Sequence, residues 1–344
     1  MLHAVGSFAA GSFYAPLRKV RQWAWESFWL VMGIAAWIVA PWTVAALTTP
    51  ELLYVLQSSP TKALLLAAMF GLLWGVGGLT FGLSVRYLGM ALGFSVALGF
   101  CMTFGTLIPP IVDMRFGEII ATTAGQVVLV GVAICLAGIA VCGMAGVHRE
   151  RELAATENEE QAPEDGNSEL TIGKGFLVAT ISGILSACFA FGLAFGKPIA
   201  ERAVAMGTQE LYSNNAVLVV ILIGGFTTNA LWCLALNIRN RTFGDYVSGP
   251  VGRQTRNYCL SALGGFIWYA QFFFYGMGTT KLGKHDFSSW SIHMGLIIVF
   301  SNLWGLYFHE WRGVSQQTKL LVWGGILLLI ASTMIIGFGN SLSG

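Results

Sequence analysis

Charge is what this sequence has least of. Its 344 residues include only 19 Lys and Arg and 17 Asp and Glu, about a tenth of the chain, where soluble domains run near a quarter. That excludes an ordinary soluble globular domain. A formal net charge of +2 is too small to argue for a nucleic-acid partner. Metal and redox motifs are missing as well. Cys101, Cys135, Cys142, Cys188, Cys233 and Cys259 lie within or at the edge of apolar runs, with no CxxC and no His-rich spacing, so they read as small hydrophobes and no metal or cofactor is expected. HExxH is absent, as is GxSxG with triad partners, which argues against an integral membrane enzyme. The first apolar run is followed, not preceded, by Arg18, Lys19 and Arg21. It lacks the charged start of a signal peptide and reads as a retained helix.

What is abundant is hydrocarbon. Hydrophobic residues make up 55% of the chain and the mean hydropathy is +0.68, the mark of an integral membrane protein. Ten apolar segments can be drawn: 1–17, 26–47, 63–85, 87–111, 126–147, 175–196, 212–238, 257–280, 287–308 and 319–340. Each reaches or approaches the roughly 20 residues a spanning helix needs. One long polar stretch interrupts them, HRERELAATENEEQAPEDGNSELTIGK at 148–174. It is acidic, carries Pro and Gly and has no aromatic, and it reads as a solvated linker. The expected organisation is a five-helix unit over 1–147, the linker over 148–174, and a second five-helix unit over 175–344. The loops after odd-numbered segments carry 13 of the 19 Lys and Arg, the opposite side 6. By the positive-inside tendency the linker is cytoplasmic and both termini are periplasmic.

Five spans per half means that homologous halves would enter the membrane from opposite sides, the inverted-repeat plan of many secondary transporters. The third segment laid on the eighth without a gap aligns Gly71 with Gly265, Trp74 with Trp268, Phe81 with Tyr275, Gly82 with Gly276 and Leu88-Gly89 with Leu282-Gly283, and continues to Ser95 on Ser289. The expected fold is an all-α integral membrane protein of ten transmembrane helices in two inverted five-helix repeats. The glycines of the third and fourth segments, Gly71, Gly75, Gly77, Gly78, Gly82, Gly89, Gly93 and Gly99, suit close helix contact or bending.

Polar groups inside apolar spans are functional candidates. In GGFIWYAQFFFYGMG, 264–278, a 100° step puts Gly264, Trp268, Gln271 and Tyr275 on one stripe. Aromatic faces with an amide that both donates and accepts suit a neutral polyol, whose C–H faces and hydroxyls they match. Gln271 as packing glue to a neighbouring helix, and the rings as interfacial anchors, is the alternative. In HDFSSWSIHMG the residues Asp286, Ser289, Trp290 and His293 share a face. Asp286 is either a helix N-cap or a proton site, and His293 either a proton site or a histidine bonded to a neighbouring carbonyl. Glu26 opens the second segment beside Trp23, Trp25 and the Arg18–Arg21 cluster, as an interfacial ion pair or a coupling group. An exporter of cationic drugs would want a carboxylate deep in the first or sixth segment, and neither has one. A sugar receptor without transport activity stays open.

The stretches GSFYAPLRKVRQWAWE (11–26), VRYLGM (85–90), SALGGFIWYAQFFFYGMG (261–278) and DFSSWSIHM (286–294) together resemble the bacterial L-rhamnose/proton symporter family of the drug/metabolite transporter superfamily. The resemblance runs over nearly the whole chain. It implies uptake of a deoxyhexose, with L-rhamnose first in line, together with a proton, by alternating access across the bacterial inner membrane. The candidate sugar contacts are then Gln271, Trp268, Tyr275, Trp74, Trp290 and Tyr14, and the candidate proton-coupling residues Asp286, His293 and Glu26. Another sugar or small metabolite is the alternative cargo.

Overall fold

A hydrocarbon environment leaves a peptide group no water to bond, so an apolar chain satisfies its N–H and C=O groups within itself by coiling into helix. A computed structural model describes residues 1–88, 90–157, 168–282 and 287–342, and all regular structure among them is helical. The main helices are α1 (Leu2–Ser12), α2 (Trp25–Thr48), α3 (Thr61–Leu88), α4 (Met90–Val112), α5 (Thr123–Glu157), α6 (Ser168–Phe195), α7 (Asn214–Asn240), α8 (Val251–Thr279), α9 (Ser288–Tyr307) and α10 (Gln316–Ser341). Short helices at Tyr14–Leu17, Leu52–Ser58, Phe116–Ala121 and Lys197–Ala205 join them.

Eight stretches among the described residues are long and apolar enough to cross a membrane, against the ten segments drawn from the sequence. The two that fall short are α1 and α8, for different reasons. The 11 residues of α1 cover about 16 Å at 1.5 Å per residue. The 29 residues of α8 are long enough, but they begin with Arg253, Gln254, Arg256 and Asn257 and carry Gln271 further on. Within the polar stretch 148–174, α5 continues through Glu157 and α6 begins at Ser168.

The chain packs into two compact units that are not its two halves. One comprises Met1–Val76 and Cys188–Lys281, the other Gly77–Ala187 and Leu282–Gly344. Each draws on both sides of the linker, and α3 and α6 each contribute one part to each unit. In the first unit α1 lies along α8, and α2 packs on α7 and α8. In the second unit α5 and α10 run against each other over most of their length, flanked by α4 and α9. A hydrogen bond of 2.7 Å between the Thr106 and Ser291 hydroxyls ties α4 to α9. The Ser182 hydroxyl on α6 donates to the Gly77 carbonyl on α3 at 2.9 Å.

The glycines of α3 divide by function. A Cβ on Gly71 would lie 2.1 Å from the Ile221 carbonyl oxygen on α7, and one on Gly77 2.5 Å from the Ser186 amide nitrogen on α6. Gly78 has nothing within 4 Å of where its Cβ would stand. Close backbone approach therefore explains Gly71 and Gly77 and leaves Gly78 free to change. Of the six cysteines, five are buried as expected of small hydrophobes, whereas Cys259 is exposed.

Candidate functional site

Helix α2 is not regular throughout. Residues Ile34–Val39 form a π-helical turn, followed by Pro41. A proline ring clashes with the carbonyl four residues back, here that of Trp37, and the wider turn relieves the clash. Single π turns of this kind recur at functional positions because they re-aim side chains. Trp37 lies within this turn and is buried as a member of an aromatic assembly.

That assembly closes on itself. Trp29 meets Trp37 (ring centroids 6.4 Å apart), Trp37 meets Trp74 (6.2 Å), Trp74 meets Phe272 (5.4 Å) and Phe272 meets Trp268 (5.9 Å). Trp268 then meets Phe13 (4.3 Å), and Phe13 returns to Trp29 (6.4 Å). All six contacts are edge-on, the arrangement that aligns a ring's positive edge with its neighbour's negative face. Phe189 backs the ring, 5.3 Å from Trp74 and 4.6 Å from Phe272. The members come from the α1–α2 connection, α2, α3 and α8, all within the first unit.

Three indole or amide groups here have buried N–H donors with no hydrogen-bond partner among the described residues: Trp37 Nε1, Trp268 Nε1 and Gln271 Nε2. The Gln271 side chain is 4% exposed and that of Trp37 3%. The contrast is Trp29, whose Nε1 donates to Asn229 Oδ1 at 3.2 Å. An unsatisfied buried donor costs on the order of 1–3 kcal/mol. Three in one neighbourhood form an arrangement suited to a ligand rich in acceptor oxygens with an apolar face for the rings.

Of the residues singled out from the sequence, Trp74 and Trp268 belong to the ring. Tyr275 stands just outside it, 6.2 Å from Phe189, one helical turn beyond Gln271. Tyr14 is 44% exposed, and its ring lies 5.7 Å from that of Phe13. Trp290 and His293 lie on α9 in the second unit. There the Trp290 indole donates to the Cys101 carbonyl at 3.0 Å and covers Gly105, where a Cβ would fall 2.4 Å from Nε1. His293 is 2% exposed, its ring 6.4 Å from that of Trp290. Asp286 lies outside the described residues. Sequence reasoning missed Trp29, Trp37, Phe13 and Phe272. The proline four residues after Trp37 was the one available signal.

Glu26 sits elsewhere in the first unit. Its Oε1 accepts from Asn240 Nδ2 and Thr242 Oγ1, both at 2.9 Å. Next to it Asp245 Oδ2 accepts from the Ala24 amide at 2.7 Å and from the Ser27 hydroxyl at 2.8 Å. The start of α2 is thereby tied to the end of α7 and the following turn by neutral donors rather than by the arginine cluster. Burial pushes the Tyr246 phenol in that turn above its ordinary value, so it stays neutral at physiological pH. A cavity of about 450 Å³ in the second unit, lined by Ser95, Val96, Ala140, Gly143, Met144, Val147, His148 and Arg151, has mostly apolar walls and lacks the paired aromatic and amide groups of the first.

A chain whose described residues are all-helical, with eight membrane-length apolar helices among them and a buried donor-lined aromatic site, has the character of a multi-pass membrane protein that handles a small polar solute. The family follows from comparison. The L-rhamnose-proton symport protein (RhaT) family matches residues 1–342, and the chain belongs to it. It is 33% identical over 340 residues to the L-rhamnose-proton symporter of Cronobacter sakazakii, covering 98% of this chain and 96% of that protein. The L-rhamnose-proton symporters of Mannheimia succiniciproducens and Citrobacter koseri are each 34% identical over the same coverage.

Proposed function

We propose that this protein is a secondary transporter that imports L-rhamnose with a proton across the bacterial inner membrane, and that the sugar is held at the aromatic ring of the first unit. The observation that carries the site is the set of buried, unsatisfied donors on Trp37, Trp268 and Gln271 beside a closed circuit of six aromatic residues. A 6-deoxyhexose presents hydroxyl oxygens for such donors and an apolar edge, including its methyl group, for the rings. The donors are buried in this conformation, so a sugar reaches them only when the surrounding side chains part, as alternating access requires. Gln271→Leu is expected to keep the protein folded and to weaken rhamnose binding by about 1–3 kcal/mol, the value of a buried hydrogen bond to the ligand. A binding titration on purified protein checks this, and unchanged affinity would return Gln271 to a packing role.

The same reading includes ten transmembrane helices in two inverted five-helix repeats, 1–147 and 175–344, as in the drug/metabolite transporter superfamily. The packing supports it through its symmetry. If α1–α5 correspond to α6–α10, then α2 packs on its counterpart α7, α4 on α9 and α5 on α10. The contact of α1 with α8 is mirrored by that of α6 with α3, and α4 on α5 by α9 on α10. Both termini are then periplasmic and the 148–174 stretch cytoplasmic, with Lys and Arg concentrated on that side. A fusion after Gly344 to a reporter active only outside the cytoplasm is expected to be active, and one active only inside to be silent.

A further inference from the structure

We propose that Asn229 on α7 sets the preference of the aromatic site for a 6-deoxy sugar, by tying off the Trp29 indole and so keeping the Phe13–Trp29 side of the circuit free of donors. The inference rests on the sugar site proposed above and adds to it which side of the circuit takes the sugar's methyl group. Asn229 acts through Trp29 and is therefore a positioning residue.

One short stretch of α7 holds three of the four indoles in the circuit. Gly225 makes room for Trp74, whose Cε3 would lie 2.6 Å from a Cβ at that position. The Phe226 ring stands 6.5 Å from that of Trp37. Asn229 is buried, and its Oδ1 accepts from Trp29 Nε1 at 3.2 Å. Its Nδ2 donates at 2.9 Å to the Gly225 carbonyl, one turn back on the same helix. The amide is thus held at both ends, and its oxygen is fixed opposite the Trp29 N–H.

These pairings sort the circuit by chemistry. Of its four indole N–H groups, that of Trp29 is the one with a hydrogen-bond partner among the described residues. The buried N–H groups of Trp37 and Trp268 have none, and neither has the Gln271 amide three residues beyond Trp268. Phe13 and Trp29 adjoin each other, and Trp268 and Trp37 are the next members on either side. Phe13 has no polar side-chain atom and Trp29 has its only one in use, so this pair offers ring surface alone. Trp25, stacked on Trp29 at 5.1 Å, adds to that surface. A 6-deoxyhexose has the same two-sided character, with hydroxyls around the ring and a methyl group at C5. The hydroxyls match the flanking donors and the methyl matches the donor-free pair. A methyl gains by leaving water there, whereas a hydroxyl would lose its hydrogen bonds without replacement.

With Leu at 229 the Trp29 N–H has no acceptor and joins those of Trp37 and Trp268 as a donor in need of one. A hydroxyl at C6 supplies that acceptor and a methyl does not. The test therefore compares L-rhamnose with L-mannose, the same sugar carrying a hydroxyl at C6, by titration calorimetry on the purified full chain. The wild type is expected to bind L-rhamnose the more tightly, and a wild type without that preference overturns the proposal. Asn229→Leu is expected to cut the preference by about 3- to 10-fold, the worth of one hydrogen bond to the C6 hydroxyl. Trp29→Phe has no indole to release, so adding Asn229→Leu to it should leave the ratio of the two affinities unchanged. A packing role for Asn229 would weaken both sugars together in either background and would not move the ratio. The wild-type ratio in Asn229→Leu overturns the proposal, as does an equal loss of preference in the Trp29→Phe background. If Asn229→Leu does not fold, Phe13→Tyr places a hydroxyl on the same side of the circuit. A preference lowered by a similar factor then supports the proposal, and an unchanged one overturns it. Trp268→Leu separates the two readings. Wild-type rhamnose affinity in that variant removes the sugar from the circuit and this proposal with it, whereas weakened affinity there with an unchanged ratio in Asn229→Leu overturns the specificity role alone.

Discussion

Gly71→Leu is expected to leave little folded protein, because the side chain has nowhere to go. A Cβ alone at position 71 would lie 2.1 Å from the Ile221 carbonyl oxygen, 2.9 Å from its carbon and 3.1 Å from its Cα. These are backbone atoms of α7 that no rotamer change can move. On the facing helix Gly224 is in the same position, its Cβ site 2.4 Å from the Ala68 carbonyl oxygen. Relief requires α3 and α7 to separate, and in a bilayer the contact between helices is mainly van der Waals packing that separation forfeits. Overpacking by a methyl group or two typically costs about 1–3 kcal/mol, and Leu adds three carbons beyond Cβ. Gly71→Ala should therefore lower the thermal unfolding midpoint in detergent, and Gly71→Leu should abolish a monodisperse peak in size-exclusion chromatography. Gly78→Ala, with nothing in reach, should match the wild type. A Gly71→Leu protein as stable as the wild type would show that this crossing is not as close as described.

The second large effect is on binding. Trp268→Leu removes the 4.3 Å contact with Phe13, the 5.9 Å contact with Phe272 and the buried indole N–H together. Loss of a hydrogen bond to the sugar costs about 1–3 kcal/mol and of the aromatic contacts about 0.5–1.5 kcal/mol. Rhamnose affinity should fall by roughly two to four kcal/mol, on the order of 30- to 1,000-fold. Trp268→Phe keeps an aromatic ring and should lose mainly the hydrogen-bond share. Trp25→Phe is the matched control, because Trp25 is exposed and stacks on Trp29 from outside the circuit at 5.1 Å. A folded Trp268→Leu protein that binds rhamnose with wild-type affinity, measured by titration calorimetry, would remove the ring from the proposed sugar site.

Much of this is legible in the sequence. Apolar runs near the length of a bilayer leave helix as the available structure, and the one polar stretch at 148–174 marks where the runs change. The stripe of Trp268, Gln271 and Tyr275 follows from the 100° step of a helix and needs no partner to be recognised. Trp74 was found because it aligns with Trp268. Each of these is a local or near-local property, carried by spacing within one segment or by likeness between two.

What spacing does not carry is which turn of a helix another helix crosses. Gly71 and Gly78 are seven residues apart and lie within about 20° of the same face of α3. Yet one is pressed on the backbone of α7 and the other is exposed, because helices that cross meet over only a turn or two. Trp290 and Tyr14 illustrate the same limit. Their aromatic character was read correctly, but the Cys101 carbonyl satisfies one and the surface exposes the other. The sequence by itself determined that the chain is helical, apolar and built for a membrane, and which side chains of α8 share a stripe, since these depend on composition and a fixed helical period. Only the tertiary structure decided that Phe13, Trp29, Trp37 and Phe272 close a circuit with Trp74 and Trp268, and that His3 lies against Tyr275. Those contacts join residues up to more than 270 positions apart, and no local pattern encodes which distant helices pack together.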